Sequence, residues 1–380
     1  MHNKIRVLQL GKYFDPFKGG IELVSYELGC ALNTEKIKCD VLCFNHDDNF
    51  HNTNAEFKII RTRSLFKIAS TTFSWEYIKK LRTLMDDYDI LHVHLPNPMA
   101  HLAIMLCQPK AKLVLHWHSD IINQKILELF YAPFLKRLIR KSSAVIGATP
   151  AHVYQSDYSY FFSNKSFVIP YIFNHHKLTS IAVDYSAVRR IVKKYGNRKI
   201  VFSVGRHVYY KGFGDLVEAA RHLPDDWVIL IGGTGPDTKY LQSQIDTHNL
   251  QNKVILVGRL SDEELIHYLD ASKIFAFPSV HRSEMFGMVQ LEAFARSKPV
   301  VSTNIFRSGV PYINKSGFTG FSVPVHKPDE LAAAILAVSN DESYQKFCAQ
   351  AKSWLVSSFD LSEIVSKHMD VYERVINESP

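Results

Sequence analysis

The 380-residue sequence has no long apolar run and few cysteines, and both shortages narrow the class of protein. No stretch approaches the roughly 18 apolar residues that a membrane-spanning helix needs. The chain begins with a strand-like segment, Lys4–Leu10, which is too short for the apolar part of a signal peptide. Its five cysteines are an odd number without a Cys-x-x-Cys pair, which favours a reducing cytosol over a disulfide framework. We therefore expect a cytoplasmic protein without a secretory leader.

The composition indicates a two-domain soluble protein. At 46% hydrophobic and 22% charged residues the chain can build ordinary cores, and its length exceeds what one core usually organises. The formal net charge is +8, with the excess concentrated in the first half. Residues 124–141 interleave bulky apolar and cationic side chains, which fits a helix lying on an anionic membrane or an ordinary helix with one core face. No recognition motif for nucleic acid accompanies the charge.

Strand patterns alternate with helical patterns along the whole chain, which predicts parallel α/β sheets. Each half carries about five strand candidates, enough for a doubly wound sheet of its own. We expect a hinge near residues 170–178, after a strand-like run at Phe167-Val168-Ile169. The candidate strands are Ile5–Leu10, Cys39–Phe44, Ile90–His94, Lys112–Trp117, Ala144–Ala148, Ile200–Val204, Trp227–Ile231, Val254–Val257, Ile274–Phe277 and Pro299–Ser302.

Two carboxylates eight positions apart, Glu284 and Glu292, stand at the start of a predicted helix. An apolar run precedes them and apolar residues at helical spacing follow Gly287, so Glu284 falls in a strand-to-helix loop and Glu292 in the helix. A helix rises about 1.5 Å per residue, which separates the carboxylates by about 10 Å. That span fits a nucleotide sugar, with a diphosphate against the intervening backbone N–H groups. Each glutamate alone is equally compatible with a cap or a solvated helix charge.

A glycine turn with two cations follows another apolar strand. Gly205 and Arg206 come directly after Ile200–Val204, and Lys211 lies five residues further on. Ligands of open α/β sheets bind at this carboxyl end of the strands. Arg206 can hold a phosphate through two N–H bonds and Lys211 supplies a point charge, so together they could neutralise a leaving diphosphate without a metal ion.

The order and spacing of several segments resemble glycosyltransferase family 4, whose members have the GT-B fold. Each segment alone is a weak signal. The resemblance extends over nearly the whole chain, although the usual Pro-Asn-Gly after the interdomain strand is replaced by Pro170-Tyr171-Ile172. The matching segments are Gly19-Gly20-Ile21-Glu22, Asp89–His94, Leu115–Asp120, Gly205-Arg206 with Lys211-Gly212, Gly232–Pro236, Val257–Ser261 and Glu284 with Glu292.

The resemblance implies an α/β protein of two doubly wound, Rossmann-like domains that face each other across a cleft. Residues 1–172 would form an acceptor domain, with a C-terminal helix at about 360–380 packing back onto it. Residues 178–357 would form the nucleotide-sugar-binding domain. We expect a peripheral place on the inner face of the cytoplasmic membrane, where an acceptor carried on a lipid would be found.

The implied activity is that of a retaining hexosyltransferase without a metal or other cofactor. It would move a sugar from GDP-mannose or a UDP-hexose to a glycan acceptor linked to a lipid, during synthesis of O-antigen, capsule or exopolysaccharide. The predicted catalytic-site residues are His118, Arg206, Lys211 and Glu284. The predicted donor-binding residues are Gly19, Gly20, Gly205, Gly233, Gly235, Phe286, Gly287, Met288 and Glu292.

The histidine pairs His92-x-His94 and His116-x-His118 raise the question of a metal. Alternate spacing puts two rings on one face of a strand, and two such strands could surround zinc. Apart from Asp120, no cysteine or carboxylate stands at a coordinating spacing. We therefore expect no metal site.

Three other functions remain compatible with parts of the pattern. A non-hydrolysing sugar-nucleotide epimerase shares the GT-B architecture and a basic cleft. A non-catalytic carbohydrate-binding or scaffold protein would need neither the cations nor the carboxylates. A Rossmann oxidoreductase is disfavoured because no Gly-x-Gly-x-x-Gly follows the first strand.

Overall fold

The chain forms two compact units, which we call unit 1 (residues 1–173 and 361–380) and unit 2 (residues 174–360). The structure is a computed structural model that describes residues 4–14, 20–45, 57–68, 71–122, 125–174, 178 and 181–378. Each unit is built around its own parallel sheet.

Within its described residues, unit 1 contains a parallel sheet of seven strands in the order β3-β2-β1-β6-β7-β8-β9. A separate antiparallel hairpin, β4–β5, follows the edge strand β3. The central strands are buried on both faces, which explains their nearly unbroken apolar sequences. The strands are β1 (Ile5–Leu10), β2 (Ile37–Phe44), β3 (Ile59–Thr62), β4 (Phe66–Ile68), β5 (Thr71–Phe73), β6 (Ile90–Leu95), β7 (Lys112–Trp117), β8 (Ala144–Gly147) and β9 (Ser166–Val168).

Helices cover both faces of the unit 1 sheet. Side chains from α2, α3 and α4 pack on one face, and α1 packs on the other. Local capping fixes two of the helix starts, because Ser74 accepts a hydrogen bond at the start of α2 and Asn97 does so before Pro98 of α3. The helices are α1 (Gly20–Leu32), α2 (Trp75–Leu84), α3 (Pro98–Cys107), α4 (Lys125–Lys141), α5 (Pro150–Tyr154) and α6 (Ser159–Phe162).

Unit 2 has a parallel sheet of six strands within its described residues, in the order β12-β11-β10-β13-β14-β15. Its central strands β10 and β13 therefore end side by side at the carboxyl edge. The strands are β10 (Lys199–Val204), β11 (Trp227–Gly232), β12 (Val254–Gly258), β13 (Ile274–Phe277), β14 (Val300–Asn304) and β15 (Gly320–Pro324). The helices are α7 (Tyr185–Lys194), α8 (Phe213–Ala219), α9 (Thr238–Thr247), α10 (Asp262–Ala271), α11 (Val289–Ala295), α12 (Val310–Ile313), α13 (Pro328–Val338) and α14 (Asp341–Ser358).

The last helix, α15 (Leu361–Asn377), belongs to unit 1 although it follows unit 2 in the sequence. Its apolar face, including Ile364, Val371 and Val375, joins the core that α1 forms on the unit 1 sheet. Spacings of seven and four residues place these side chains on one helical stripe. None of the helices in the described part of the chain is long and apolar enough to cross a membrane.

The estimate of about five strands in each half was too low. The sequence patterns missed β3, the β4–β5 hairpin and β15. Strand β3 is a short edge strand containing Arg61, and the hairpin strands have three residues each, so neither shows a clear apolar run. Strand β15 begins at Gly320, a residue that usually marks a turn.

Candidate active site

Glycine permits the loops after β10 and β11 of unit 2 to press against each other. The backbone N–H of Gly205 donates to the carbonyl oxygen of Gly232 at 3.1 Å. Gly233 has a φ of 109°, and a Cβ there would lie 1.9 Å from the carbonyl oxygen of Gly205. A Cβ on Gly235 would lie 2.3 Å from the carbonyl oxygen of His207. Close backbone contact thus accounts for Gly233 and Gly235, whose part in donor binding stays a prediction.

A third glycine brings Lys211 next to Glu284. Gly212 has a φ of 66°, and a Cβ there would meet the carbonyl oxygen of Pro278 at 1.9 Å, so the loop after β10 runs directly against the end of β13. The ammonium Nζ of Lys211 lies 2.5 Å from Oε2 of Glu284, and the Ser279 hydroxyl donates to the same oxygen at 3.3 Å. Two predicted catalytic-site residues, 73 positions apart, therefore form one ion pair.

This ion pair is largely removed from solvent. The side chains of Lys211 and Glu284 are 17% and 12% exposed. Burial lowers the pKa of Lys211, but the charge and the hydrogen bond of Glu284 outweigh it, so the pKa lies above its usual value and the ammonium stays protonated. Arg206 is exposed in the loop directly after β10. The carboxyl edge of unit 2 thus offers one buried, paired cation and one accessible guanidinium.

The turn from β13 into α11 is held from inside by Gln290, a residue that the sequence patterns did not single out. Its side-chain Nε2 donates to the carbonyl oxygen of Phe286 at 3.1 Å. Gly287 has a φ of 79°, and a Cβ there would lie 2.6 Å from the Phe277 ring. Phe286 is buried, so its ring is not exposed to a ligand, and its part in donor binding stays a prediction.

The loop after β14 holds Glu284 by its backbone. The Ser308 hydroxyl donates to the carbonyl oxygen of Glu284, and the backbone N–H of Gly309 donates to that of Met285 at 3.0 Å. In the sequence, only the adjacent Ser308 and Gly309, which are typical of a turn, mark the place of this contact. These bonds fix the main chain that carries the Glu284 carboxylate.

Glu292 lies within α11, one turn from the partly buried Met288 at its start. Burial raises the pKa of Glu292 to about 7, and the negative charge of Asp262 adds to the effect. A carboxyl group with this pKa changes protonation near neutrality. In its ionised form it can accept hydrogen bonds with both oxygens, and in mild acid one oxygen takes a proton and becomes a donor.

Two of the predicted residues of unit 1, Gly20 and His118, lie in the part of the chain that the structure describes. Gly20 begins α1 and is exposed, and a Cβ there would meet nothing within 4 Å. Gly19 lies outside the described residues. His118 follows β7 directly, and its backbone N–H donates to the carbonyl oxygen of Leu95 at the end of β6. The role of each residue in catalysis or donor binding stays a prediction.

His118 is 3% exposed, and both of its ring nitrogens have partners. Nδ1 lies 2.7 Å from the hydroxyl of Tyr171, and Nε2 lies 2.9 Å from Nδ1 of His94. Burial lowers the pKa of His118 well below 6.5, and His152 and His92 lower it further, so the imidazole is neutral. His118 is thus a member of a buried polar network.

That network contains a possible metal-binding group. One ring nitrogen from each of His92, His94 and His116 lies within 4.8 Å of the others, and all three residues are buried. Three imidazoles at such spacing suit zinc or a related metal. His92 is, however, already paired, with Nδ1 2.7 Å from the Tyr372 hydroxyl and Nε2 3.1 Å from Nδ1 of His116. The expectation of no metal stays a prediction.

Known proteins resemble the chain over nearly its full length. The family model described as "Glycosyltransferase Family 4" matches residues 18–171, and the model described as "Glycosyl transferases group 1" matches residues 184–354. The D-rhamnosyltransferase WbpZ of Pseudomonas aeruginosa is 32% identical over 331 residues, which cover 85% of this chain and 84% of that protein. The chain belongs to glycosyltransferase family 4. This glycosyltransferase is also 29% identical over 377 residues to the O-antigen chain mannosyltransferase C of Escherichia coli, covering 98% and 99% of the two chains.

Solved structures confirm the predicted GT-B fold of this glycosyltransferase. HepE from Anabaena, crystallised in complex with UDP, matches with a TM-score of 0.78 at 19% identity, over 97% of this chain and 100% of that one. Sucrose-phosphate synthase from Thermosynechococcus elongatus matches with a TM-score of 0.77 at 19% identity, over 99% and 100%. The two parallel, Rossmann-like sheets described above are the common architecture.

Proposed function

We propose that this glycosyltransferase moves a hexose from a nucleoside diphosphate sugar to a lipid-linked glycan, with retention of anomeric configuration and without a metal ion. GDP-mannose or a UDP-hexose is the donor, and the product is a bacterial surface polysaccharide such as O-antigen. The observation that carries the proposal is the partly buried ion pair between Lys211 and Glu284 at the carboxyl edge of the unit 2 sheet. It combines a fixed cation for a diphosphate with a carboxylate for sugar hydroxyls.

The named relatives support this donor and acceptor class. The two relatives with the longest matches described above are a mannosyltransferase of the O-antigen chain and a rhamnosyltransferase. HepE has been crystallised with UDP and with UDP-glucose. We therefore assign the diphosphate to Arg206 and Lys211, the donor sugar hydroxyls to Glu284 and the ribose to Glu292.

In the proposed reaction the acceptor hydroxyl attacks the anomeric carbon on the face from which the diphosphate leaves. The bond between that carbon and the phosphate oxygen breaks, and the departing oxygen takes the acceptor proton. Negative charge then builds on the diphosphate, and Lys211 and Arg206 stabilise it. Because the Lys211–Glu284 pair is already oriented, little reorganisation accompanies this step.

A donor panel and product analysis test the proposal. We expect one class among UDP, GDP, ADP and CDP sugars to stabilise the protein, by about 2.7 kcal/mol at 100 times its Kd. With a lipid-linked oligosaccharide as acceptor, NMR of the product should show the anomeric configuration of the donor, and transfer should persist in EDTA. Inversion or loss of activity in EDTA would contradict the mechanism. An epimerised nucleotide sugar formed without acceptor would indicate an epimerase, and binding of glycan without any nucleotide would indicate a carbohydrate-binding protein.

We also propose that helix α4 brings unit 1 to an anionic membrane, on the cytoplasmic side. Three large apolar side chains of this helix are exposed, Leu129 at 73%, Phe130 at 71% and Phe134 at 50%. The last turns carry the exposed cations Arg137, Arg140 and Lys141. Apolar side chains that enter the interface and cations that meet acidic headgroups are the two features of a surface-bound helix.

Co-sedimentation with liposomes tests this contact separately from catalysis. The wild-type protein should bind phosphatidylglycerol vesicles at low salt and less at high salt, and the double variant Phe130→Ser with Phe134→Ser should bind at least tenfold less. Val356→Ser, at an exposed apolar position of α14, serves as the control and should bind like the wild type. Equal binding by all three proteins, or no binding by the wild type, would exclude α4 as a membrane contact.

A further inference from the structure

A chain of hydrogen bonds runs through the core of unit 1 from Gln9 to Tyr171, by way of His94 and His118. Gln9 lies on β1, His94 on β6 and His118 directly after β7, three neighbouring strands of the sheet. Tyr171 stands where the family pattern has asparagine. All four residues are buried: the exposed fraction is 0% for Gln9, 2% for His94, 3% for His118 and 6% for Tyr171. Nε2 of His94 lies 2.7 Å from the side-chain amide of Gln9, and Nδ1 of His94 lies 2.9 Å from Nε2 of His118. Nδ1 of His118 lies 2.7 Å from the hydroxyl of Tyr171.

The surroundings of Gln9 determine which way its amide points. With the nitrogen toward His94, that nitrogen donates to Nε2 of His94 at 2.7 Å and to the carbonyl oxygen of Ser25 at 3.3 Å. The amide oxygen then accepts from the backbone N–H of Gly29 at 3.2 Å. In the opposite orientation the amide oxygen faces the carbonyl oxygen of Ser25, and the nitrogen faces the N–H of Gly29 and keeps only a weak acceptor, the sulfur of Cys39 at 3.3 Å. The first orientation therefore satisfies the buried amide, as a buried polar group requires.

The amide orientation fixes the protons along the chain. Because Gln9 donates to Nε2 of His94, that nitrogen is unprotonated. Burial holds the pKa of both histidines well below 6.5, so each neutral ring carries one proton. The proton of His94 is on Nδ1 and is donated to Nε2 of His118. The proton of His118 is then on Nδ1 and is donated to the hydroxyl oxygen of Tyr171.

We propose that Gln9, His94 and Tyr171 are positioning residues that hold the His118 ring by both nitrogens and set its Nδ1–H tautomer. The catalytic relevance of this arrangement rests on the proposed function, together with the place in the catalytic site that the family resemblance implies for His118. Both ring nitrogens of His118 are engaged, so the network fixes the position and tautomer of the residue, and losing either bond should disturb the catalytic site around it. The network thus links a strand near the start of the chain to a residue 109 positions later.

NMR of protein carrying ¹⁵N-labelled histidine tests the tautomer without any activity assay. In the wild type at pH 7.5, His118 should show a protonated Nδ1 and an unprotonated Nε2. A protonated Nε2 would overturn the assignment. Gln9→Leu removes the donor to Nε2 of His94, so His94 and His118 should each show a mixture of tautomers. If that variant does not fold, the wild-type spectrum and Tyr171→Phe decide.

Tyr171→Phe removes the acceptor for the Nδ1 proton and should give His118 a mixture of tautomers, with kcat about tenfold lower and the donor KM unchanged. Tyr131→Phe is the matched control, because it removes a similar tyrosine–histidine hydrogen bond in the same unit. There the Tyr131 hydroxyl lies 2.8 Å from Nδ1 of His101. It should leave the His118 signals and kcat unchanged. Wild-type kcat and an unchanged His118 spectrum in Tyr171→Phe would refute the positioning role. Absence of transfer by the wild type with every donor would instead refute the proposed function and leave the tautomer measurable.

Discussion

The two units place different chemistry at the carboxyl edges of similar parallel sheets. In unit 1, neutral histidine rings and tyrosine hydroxyls lie buried near this edge and form hydrogen bonds with one another. In unit 2 the edge holds a charged pair, Lys211 and Glu284, among loops that need glycine. A neutral network keeps its order only while no ring is protonated, because a charge inside the core is costly. The unit 2 pair is held by opposite charges, and the raised pKa of Lys211 keeps its ammonium charged in mild acid.

The difference indicates that mild acid should affect the units unequally. Neutral histidines that are buried in the folded state titrate near 6.5 once unfolded. As pH falls below 6.5, the unfolded chain binds protons that the folded unit cannot, so the folded state loses stability. Above that pH both states are neutral and the effect vanishes. The two units share one architecture. We expect them to stay folded over different pH ranges, because different side chains lie at the edges of their sheets.

The largest expected effect is acid unfolding of unit 1 before unit 2. Burial lowers the pKa of His152 to about 3 and of His368 to about 4, and His92, His94, His116 and His118 are shifted in the same direction. Each such histidine costs up to about 1.4 kcal/mol per pH unit below 6.5. Hydrogen exchange followed by mass spectrometry should show unit 1 losing protection between about pH 6 and pH 4.5 while unit 2 stays protected.

The comparison has a direct control in unit 2. His326 is exposed, and His326→Gln should leave the exchange of both units unchanged at every pH. His152→Asn removes one titrating ring from unit 1 and should move its acid transition to lower pH, provided the variant folds at pH 7.5. Simultaneous loss of protection in both units, or earlier loss in unit 2, would contradict the assignment of the acid sensitivity to the buried histidines.

The next effect concerns catalysis and the charged pair of unit 2. Lys211→Ala should lower kcat by about 100-fold or more, since one preorganised donor is typically worth roughly 3 kcal/mol. Arg206→Ala should act in the same direction. Lys352→Ala removes an exposed lysine from α14 and should behave like the wild type. Wild-type turnover by the Lys211 and Arg206 variants would remove both residues from the mechanism.

Sequence patterns revealed unit 2 more fully than unit 1, for a physical reason. The unit 2 candidates depend on local requirements: glycine where backbones touch, charge at the end of a strand, and helical spacing after Gly287. The unit 1 network depends on contacts across the sheet. Tyr372 reaches His92 from a helix 280 positions away, and no local pattern encodes such a contact. The two histidine pairs were visible in the sequence, but the residues that orient them were not.

Loop contact in unit 2 should be sensitive to a single methyl group. Gly233→Ala places a Cβ against the carbonyl oxygen of Gly205 at a φ that alanine disfavours. We expect about 2 kcal/mol of lost stability in unit 2, within the range for backbone strain of this kind, and weaker donor binding. The matched control is Gly214→Ala, because a Cβ on this helical residue would meet nothing within 4 Å. Equal melting temperatures for the two variants would show that the loops have room to separate.

The smallest effect should separate ground-state binding from catalysis at Glu292. A hydrogen bond between Glu292 and the ribose has the same strength in the ground state and in the transition state. Glu292→Ala should therefore raise the donor KM about tenfold and leave kcat within twofold. Because the pKa of Glu292 is about 7, the wild-type KM should also rise as pH falls from 8 to 6. Glu292→Gln should lose this pH dependence, and Glu330→Gln, an exposed site on α13, should retain it. An unchanged KM with a collapsed kcat would place Glu292 in the chemical step. Unit 2 would then also contain a titrating group that acts in catalysis, and the contrast between the two units would be smaller.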